Sequence, residues 1–263
     1  MDLRLRDSAV IVTGGGSNIG RAIVHGFAAE GARILIADRD IDQATVVVEE
    51  AKELGAAEVI VLGVDLTTEG AGAAIVEAAI ERLGGVDALV NNVGWSVPDF
   101  FSKTDSTEWQ KSFDLNLMTA FSCTHAVLPA MQQGGHGSIV YISSDAAFGT
   151  VRTATYGAAK AGLIAFAKTI AKEHGRDGIR TNVVCPGVVL PDDDAVGAGS
   201  LWRAGRDAIF NDAQLASVER ELPLRRLTTA ADVANSVLFF SSDAASRQLT
   251  GQVVSVSGGY SMP

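Results

Sequence analysis

Residues 9–31 read AVIVTGGGSNIGRAIVHGFAAEG, and this stretch decides the fold. Residues 9–13 form a short apolar run rich in β-branched side chains, the composition of a strand buried on both faces. Gly14, Gly15 and Gly16 end it. Ile19, Ile23 and Phe27 then recur at helical spacing, which predicts a helix over 20–30. Strand, glycine turn and helix in immediate succession is the opening unit of an α/β sheet.

Outward from it the alternation continues. Strands are predicted at residues 32–37, 58–64, 88–90, 138–142, 180–184 and 253–256, and helices at 43–54, 71–83, 107–132 and 155–173. The strands are continuously apolar rather than alternating, as a parallel sheet covered on both faces requires. No low-complexity tract or linker divides the chain, so residues 1–263 are read as one doubly wound α/β domain. Residues 188–214, VVLPDDDAVGAGSLWRAGRDAIFNDAQ, break the pattern and are read as a lid over the site.

Composition narrows the partners. A formal charge of −10 with no basic stripe repels a phosphate backbone, which argues against nucleic acid. The apolar runs stop short of the ~18 to 20 residues of a membrane helix. With no signal-peptide pattern at the start, a soluble cytoplasmic protein is expected. Cys123 and Cys185 lie far apart in apolar surroundings and read as buried thiols. His25, His125, His136 and His174 lack the spacing of metal ligands, so no metal is expected.

The glycine turn points to a dinucleotide. Gly14, Gly15, Gly16 and Gly20 let backbone approach a ligand closely, and free N–H groups at a helix N-terminus favour a pyrophosphate. The second strand ends at Asp38, 18 residues after Gly20, near the position of an acid that accepts from an adenosine ribose. A carboxylate there repels the 2′-phosphate of NADP, so NAD(H) is the favoured cofactor. Arg39 beside it is a guanidinium that a 2′-phosphate could use instead.

At the other end, Tyr156 and Lys160 fall one helical turn apart on one face. A cation next to a phenol favours phenolate and brings a proton-transferring group towards working pH, which makes Tyr156 a candidate general acid/base. Taken alone, Y-x-x-x-K also fits a half-buried tyrosine and a solvated lysine.

The motifs TGGGSNIG, Asp65-Leu66, NNVG at residues 91–94, Asn116, ISS at 142–144, YGAAK at 156–160 and CPG at 185–187 occur in one order along the chain. In that order they resemble the short-chain dehydrogenase/reductase family over essentially the full length, most nearly its 2-hydroxycyclohexanecarboxyl-CoA dehydrogenase and 3-oxoacyl-carrier-protein reductase branch. The resemblance implies a seven-stranded parallel Rossmann-type sheet. It places Gly14, Ser17, Asn18 and Ile19 at the pyrophosphate, Asp65 and Leu66 at the adenine, and Asn92 and Gly94 along the adenosine ribose side. It makes Tyr156 the general acid/base, with Lys160 holding the nicotinamide ribose and lowering the tyrosine pKa. Asn116 would support a water linking Lys160 to solvent, and a serine after the fifth strand would bind the substrate oxygen. It also implies a homotetramer, with the two long helices and the C-terminal strand region at subunit contacts.

Three departures from the family pattern stand out. Asn18 occupies a usual glycine position, which asparagine tolerates better than most residues because it enters left-handed backbone more readily. Ser143 has the usual separation from Tyr156, but strand register selects Ser144, with Ser143 as the fallback. Pro191 replaces a usual threonine, leaving the carboxamide to backbone groups near Val189. Trp95, Val97, Phe100, Ala146, Phe148, Leu190, Trp202 and Phe210 are candidate pocket residues, and they suggest a bulky hydrophobic, cyclic or aromatic secondary alcohol and its ketone. A hydroxyacyl or 3-oxoacyl thioester is the alternative, against which Asp192, Asp193 and Asp194 would repel the phosphates of CoA if they faced the cleft, with Arg203 and Arg206 offsetting them. A non-catalytic NAD-binding redox sensor is the remote alternative, since such a protein would have no use for the full set of Asn116, serine, Tyr156 and Lys160.

Overall fold

The opening stretch folds as read in the computed structural model, which describes residues 2–191 and 211–263. β1 (Ala9–Thr13) runs through the glycine turn into α1 (Asn18–Ala29). There follow β2 (Arg33–Asp38), α2 (Ile41–Leu54), β3 (Glu58–Gly63), α3 (Ala71–Leu83) and β4 (Ala88–Asn91). The second half continues with α4 (Ser106–Phe113), α5 (Thr119–Gly134), β5 (Gly137–Ile142), α6 (Ala154–His174), β6 (Ile179–Pro186), α7 (Asp212–Glu221), α8 (Ala230–Ser241), α9 (Asp243–Ser246) and β7 (Val253–Val256).

The strands form one sheet in the order β3-β2-β1-β4-β5-β6-β7, every neighbouring pair parallel. This is the doubly wound seven-stranded sheet expected. Strand alternation sends Val10, Val12, Ile34 and Ile36 to one face, where they pack with Phe27, Val47 and Val237. Ile11, Leu35 and Ala37 face the other way, onto Ile75, Val127 and Leu163. The order reverses at β1, where β2 and β4 flank it on opposite sides. Loops leaving β1 and β4 therefore diverge and open a crevice at the carboxyl ends of the strands.

Strand limits differ from the sequence reading by a residue or two, the usual uncertainty of element ends. The helix expected at 107–132 is instead α4, a π-helical turn (Asp114–Met118) and α5. The wider turn carries Asn116, whose carboxamide is tied to the Trp95 backbone in both directions, and no periodicity announces such a tie. Helices α7, α8 and α9 were not anticipated. Of the irregular stretch 188–214, residues 192–210 lie outside the described residues, and with them Trp202, Phe210, the three aspartates, Arg203 and Arg206. Residues 188–191 continue from β6, Val189 bridging to Thr228, and residues 212–214 already belong to α7. Among the described residues no helix is long and apolar enough to cross a membrane.

Candidate active site

The cleft at the crevice has about 360 Å³ of open volume. Gly14, Ser17, Asn18, Ile19, Asp38, Asp65, Leu66, Asn92, Gly94, Ser144, Tyr156, Lys160 and Val189 all line it, so side chains far apart in sequence meet along one channel. Asn116 is buried just behind it, between Ser112 and Trp95.

The glycine turn is built for close approach. A Cβ at Gly20 would sit 1.9 Å from the Gly14 carbonyl oxygen, so only glycine lets the first turn of α1 close on the strand end. Ser17 precedes α1 without a side-chain cap, which leaves the first N–H groups of the helix available to an anion. Asn18 holds left-handed backbone at φ 42°, and its Oδ1 is buried without a hydrogen-bond partner. Asn92 Nδ2 donates to the Thr13 and Gly14 carbonyls, both at 3.0 Å, and so fixes the turn's shape from below. A cradle with bare helix N–H groups and glycines that admit close approach fits a dinucleotide pyrophosphate.

At the adenosine end, Asp38 is anchored by backbone: Gly16 N–H donates to Oδ2 (2.9 Å) and Asp40 N–H to Oδ1 (3.0 Å). These bonds hold the carboxylate beside the glycine turn, on the cleft. Asp65 has a pKa below the usual carboxylate range because Thr67 donates to it through hydroxyl and backbone, with the charge of Arg39 adding to the effect.

At the other end of the channel the two serines separate. Ser143 is buried and its hydroxyl donates to the Lys160 carbonyl at 2.8 Å. Ser144, one residue on, turns the opposite way, lies close enough to the Tyr156 hydroxyl to favour its ionisation and accepts from Ala146 N–H at 3.1 Å. Period-two alternation past the end of β5 thus sends one hydroxyl into the structure and the other to the phenol.

Lys160 is 2% exposed. Its ammonium donates to the Ile142 carbonyl at 2.9 Å and lies 5.7 Å from the centre of the Tyr156 ring. A Cβ at Gly94 would fall 3.1 Å from Asn116 Oδ1 and 3.2 Å from Lys160 Nζ, so Gly94 keeps the slot between them open and stands at the catalytic end of the channel. Burial brings the Lys160 pKa down to about 8. The Tyr156 phenol is pushed up by burial, an effect that neighbouring Ser144 opposes. The net direction in the protein alone is thus opposite to the lowering expected from Lys160, because loss of water disfavours phenolate.

Of the candidate pocket side chains among the described residues, Trp95 lines the cleft, whereas Val97, Phe100, Ala146, Phe148 and Leu190 do not. The Trp95 backbone is held by Asn116, and its ring is 4.2 Å from the Lys111 ammonium. Phe100 and Phe148 are half exposed, Val97 is exposed and Ala146 is buried. The loops after β4 and β5 are tied to each other: Asp99 N–H donates to the Arg152 carbonyl (3.0 Å), and the Arg152 guanidinium donates to the Pro98 carbonyl (2.9 Å). Neither Lys111 nor Arg152 was singled out from sequence, since both act through contacts across loops that no local motif records.

Comparison with known proteins agrees with this geometry. Residues 14–261 match the family described as enoyl-(acyl carrier protein) reductase. The chain is 33% identical over 259 residues to the 7alpha-hydroxysteroid dehydrogenase of Escherichia coli, covering 98% of this chain and 96% of that protein. It is 34% identical over 257 residues to the 3-oxoacyl-(acyl-carrier-protein) reductase of the same organism, covering 96% of each. The solved structure of a 7alpha-hydroxysteroid dehydrogenase complexed with NADH and 7-oxo glycochenodeoxycholic acid superposes with a TM-score of 0.88 at 32% identity, over 98% of this chain and 96% of that one.

Proposed function

The chain belongs to the short-chain dehydrogenase/reductase family, oxidoreductases acting on CH–OH groups, and on that premise we propose that it interconverts a bulky hydrophobic secondary alcohol and its ketone with NAD(H). The observation that carries this reading is the meeting of Ser144, Tyr156 and the buried Lys160 ammonium along one stretch of the cleft, with that ammonium 5.7 Å from the centre of the Tyr156 ring. Bound in the channel, the nicotinamide supplies or accepts the hydride.

The chain's own residues do the rest. Gly14 to Ile19 would hold the pyrophosphate, Asp38 the adenosine ribose, and Asp65 with Leu66 the adenine. Lys160 would hold the nicotinamide ribose, with Val189 at the carboxamide. In ketone reduction Tyr156 donates its proton to the carbonyl oxygen, and Ser144 donates a hydrogen bond to the same atom as its negative charge develops. Lys160, still a cation near neutral pH, stabilises the phenolate left behind. Alcohol oxidation runs the same proton the other way. Burial keeps Tyr156 protonated in the protein alone, the state in which it acts as the acid.

One argument supports NAD over NADP: the anchored Asp38 carboxylate, which would repel a 2′-phosphate. Trp95 at the cleft, with the exposed Phe100 and Phe148 on the loops after β4 and β5, supports an apolar substrate, as does likeness to a hydroxysteroid dehydrogenase. Likeness to a 3-oxoacyl-(acyl-carrier-protein) reductase favours a second reading, an acyl thioester. Turnover followed by absorbance at 340 nm tests the choice, with cyclic alcohols and steroids set against a 3-oxoacyl thioester, in NAD(H) and then NADP(H). Faster turnover of the thioester, or a preference for NADP(H), overturns the corresponding part. A homotetramer belongs to the same proposal, with Val254, Tyr260 and Met262 as exposed apolar surface for it to cover. A monomer by light scattering refutes that part.

A further inference from the structure

Directly after Ser144 the chain buries a carboxylate. Asp145 is 6% exposed and opens the short helical turn Asp145–Phe148 that Ser144 caps. Its Oδ1 accepts from Ser261 Oγ at 2.6 Å and from Ser255 Oγ at 3.0 Å. Ser255 in turn lies 2.7 Å from Ser257 Oγ, and Ser261 N–H donates to that same Ser257 hydroxyl at 3.3 Å. Two serines, one from β7 and one from the C-terminal tail, thus converge on one carboxyl 110 or more residues earlier in the chain, with Ser257 bonded to both.

The other oxygen, Oδ2, is buried with no hydrogen-bond partner. It faces Gly187, where a Cβ would stand 3.5 Å from Oδ2 and 3.1 Å from Ser257. Gly187 belongs to the turn after β6 that lines the cleft. Asp145 therefore sits where three pieces of the site meet: the turn carrying Ser144, the turn after β6, and the tail. A buried carboxyl oxygen without a donor is costly, and burial pushes this carboxyl's pKa up despite the hydroxyls around it. An apolar residue of similar size would fill the space without that cost, so packing alone does not account for it.

Resting on the oxidoreductase reading, we propose that Asp145 is a positioning residue, whose bonds to Ser255 and Ser261 make the C-terminal tail part of the support that aims Ser144 at Tyr156. Asp145 touches neither Tyr156 nor the substrate oxygen. It acts through the turn, whose amides at Ala146, Ala147 and Gly149 are closed by Ser144 Oγ, the Ser144 carbonyl and the Ala146 carbonyl.

Full-length Asp145→Ala, Asp145→Asn and Ser261→Ala chains test this, read by steady-state kinetics, by NADH binding through nicotinamide fluorescence, and by amide hydrogen exchange. Asp145→Ala is expected to lower kcat about tenfold or more, as misplacement of a reacting group does, with the NADH dissociation constant held within about threefold. Asp145→Asn keeps an acceptor at Oδ1 and recovers most of kcat. Ser261→Ala speeds exchange at residues 146–149 by about fivefold and leaves β1 to β3 unchanged. Wild-type kcat in Asp145→Ala overturns the proposal, as does unchanged exchange at 146–149 in Ser261→Ala. Should Asp145→Ala not fold, the Ser261 arm decides. A wild-type chain inert towards every alcohol and ketone sinks the oxidoreductase reading, while the exchange coupling is read regardless.

Discussion

Replacing Lys160 with methionine should make the protein more stable at neutral pH while removing its turnover. Lys160 is a nearly fully buried cation, and no carboxylate among the described residues pairs with it. A fall from the 10.5 of a free lysine to about 8 corresponds to about 3 kcal/mol of folding cost, at roughly 1.4 kcal/mol per tenfold change in proton affinity. Methionine fills nearly the same volume without that cost but gives up the bond to the Ile142 carbonyl, worth about 1.5 kcal/mol for a charged donor. The net gain is then about 1.5 kcal/mol, or about 3 to 6 °C in Tm for a chain of this size. The pH dependence is the sharper test. Below pH 8 the folded and unfolded states both hold the lysine proton, and the cost is carried in full. Between pH 8 and 10.5 the folded lysine has released its proton while the unfolded one keeps it, so wild type gains on the variant as pH rises. Parallel unfolding curves of the two proteins at pH 7, 8, 9 and 10 cancel every other alkaline titration. A less stable Lys160→Met at pH 7, or a gap that stays constant up to pH 10, refutes the reasoning.

Two further substitutions separate roles that the sequence left adjacent. Ser144→Ala should lower kcat by about 10² to 10³, the cost of one donor at a developing oxyanion, while Ser143→Ala should cost about 1 kcal/mol of stability through its lost bond to the Lys160 carbonyl and keep most of kcat. Steady-state rates and melting curves of the pair check this, and the reverse pattern would reassign the hydroxyl. Asp38→Asn should raise the NAD dissociation constant by about 10- to 100-fold, as loss of a charge-assisted acceptor does, and shift the kcat/KM ratio towards NADP. An unchanged ratio would mean that Arg39, not Asp38, sets the preference.

How much of this was legible in the chain depended on the range of the interaction that fixes each part. The first strand, glycine turn and helix were readable because periodicity and glycine chemistry are local, and Tyr156 and Lys160 because four residues of helix are local too. The π-helical turn at Asn116 was not, since its cause is a pair of bonds to Trp95, 21 residues away. Separating Ser143 from Ser144 needed the positions of Lys160 and Tyr156. The apolar residues of α8, ADVANSVLFF, fit either a buried strand or a helix by pattern alone. The capping box of Thr229 and Asp232 was the local signal that could have decided it. Asp145 carried no signal at all, because its partners lie in β7 and the tail.

The places where the chain disobeys the usual rules of burial gather at the cleft. Among the described residues three buried side-chain atoms lack a hydrogen-bond partner, and two of them, on Asn18 and Asp145, belong to the start of α1 at the glycine turn and to the turn behind Ser144. Lys160 is a buried cation, and the Tyr156 hydroxyl is held where ionisation is disfavoured. Each arrangement weakens the fold taken by itself, and the sheet beneath, with two apolar cores on its faces, is what can bear them. A buried cation held ready for a phenolate is costly in the protein alone and becomes favourable only once a developing charge arrives. That asymmetry, rather than the Tyr156 to Lys160 spacing, is the strongest physical reason to read the cleft as a site of chemistry.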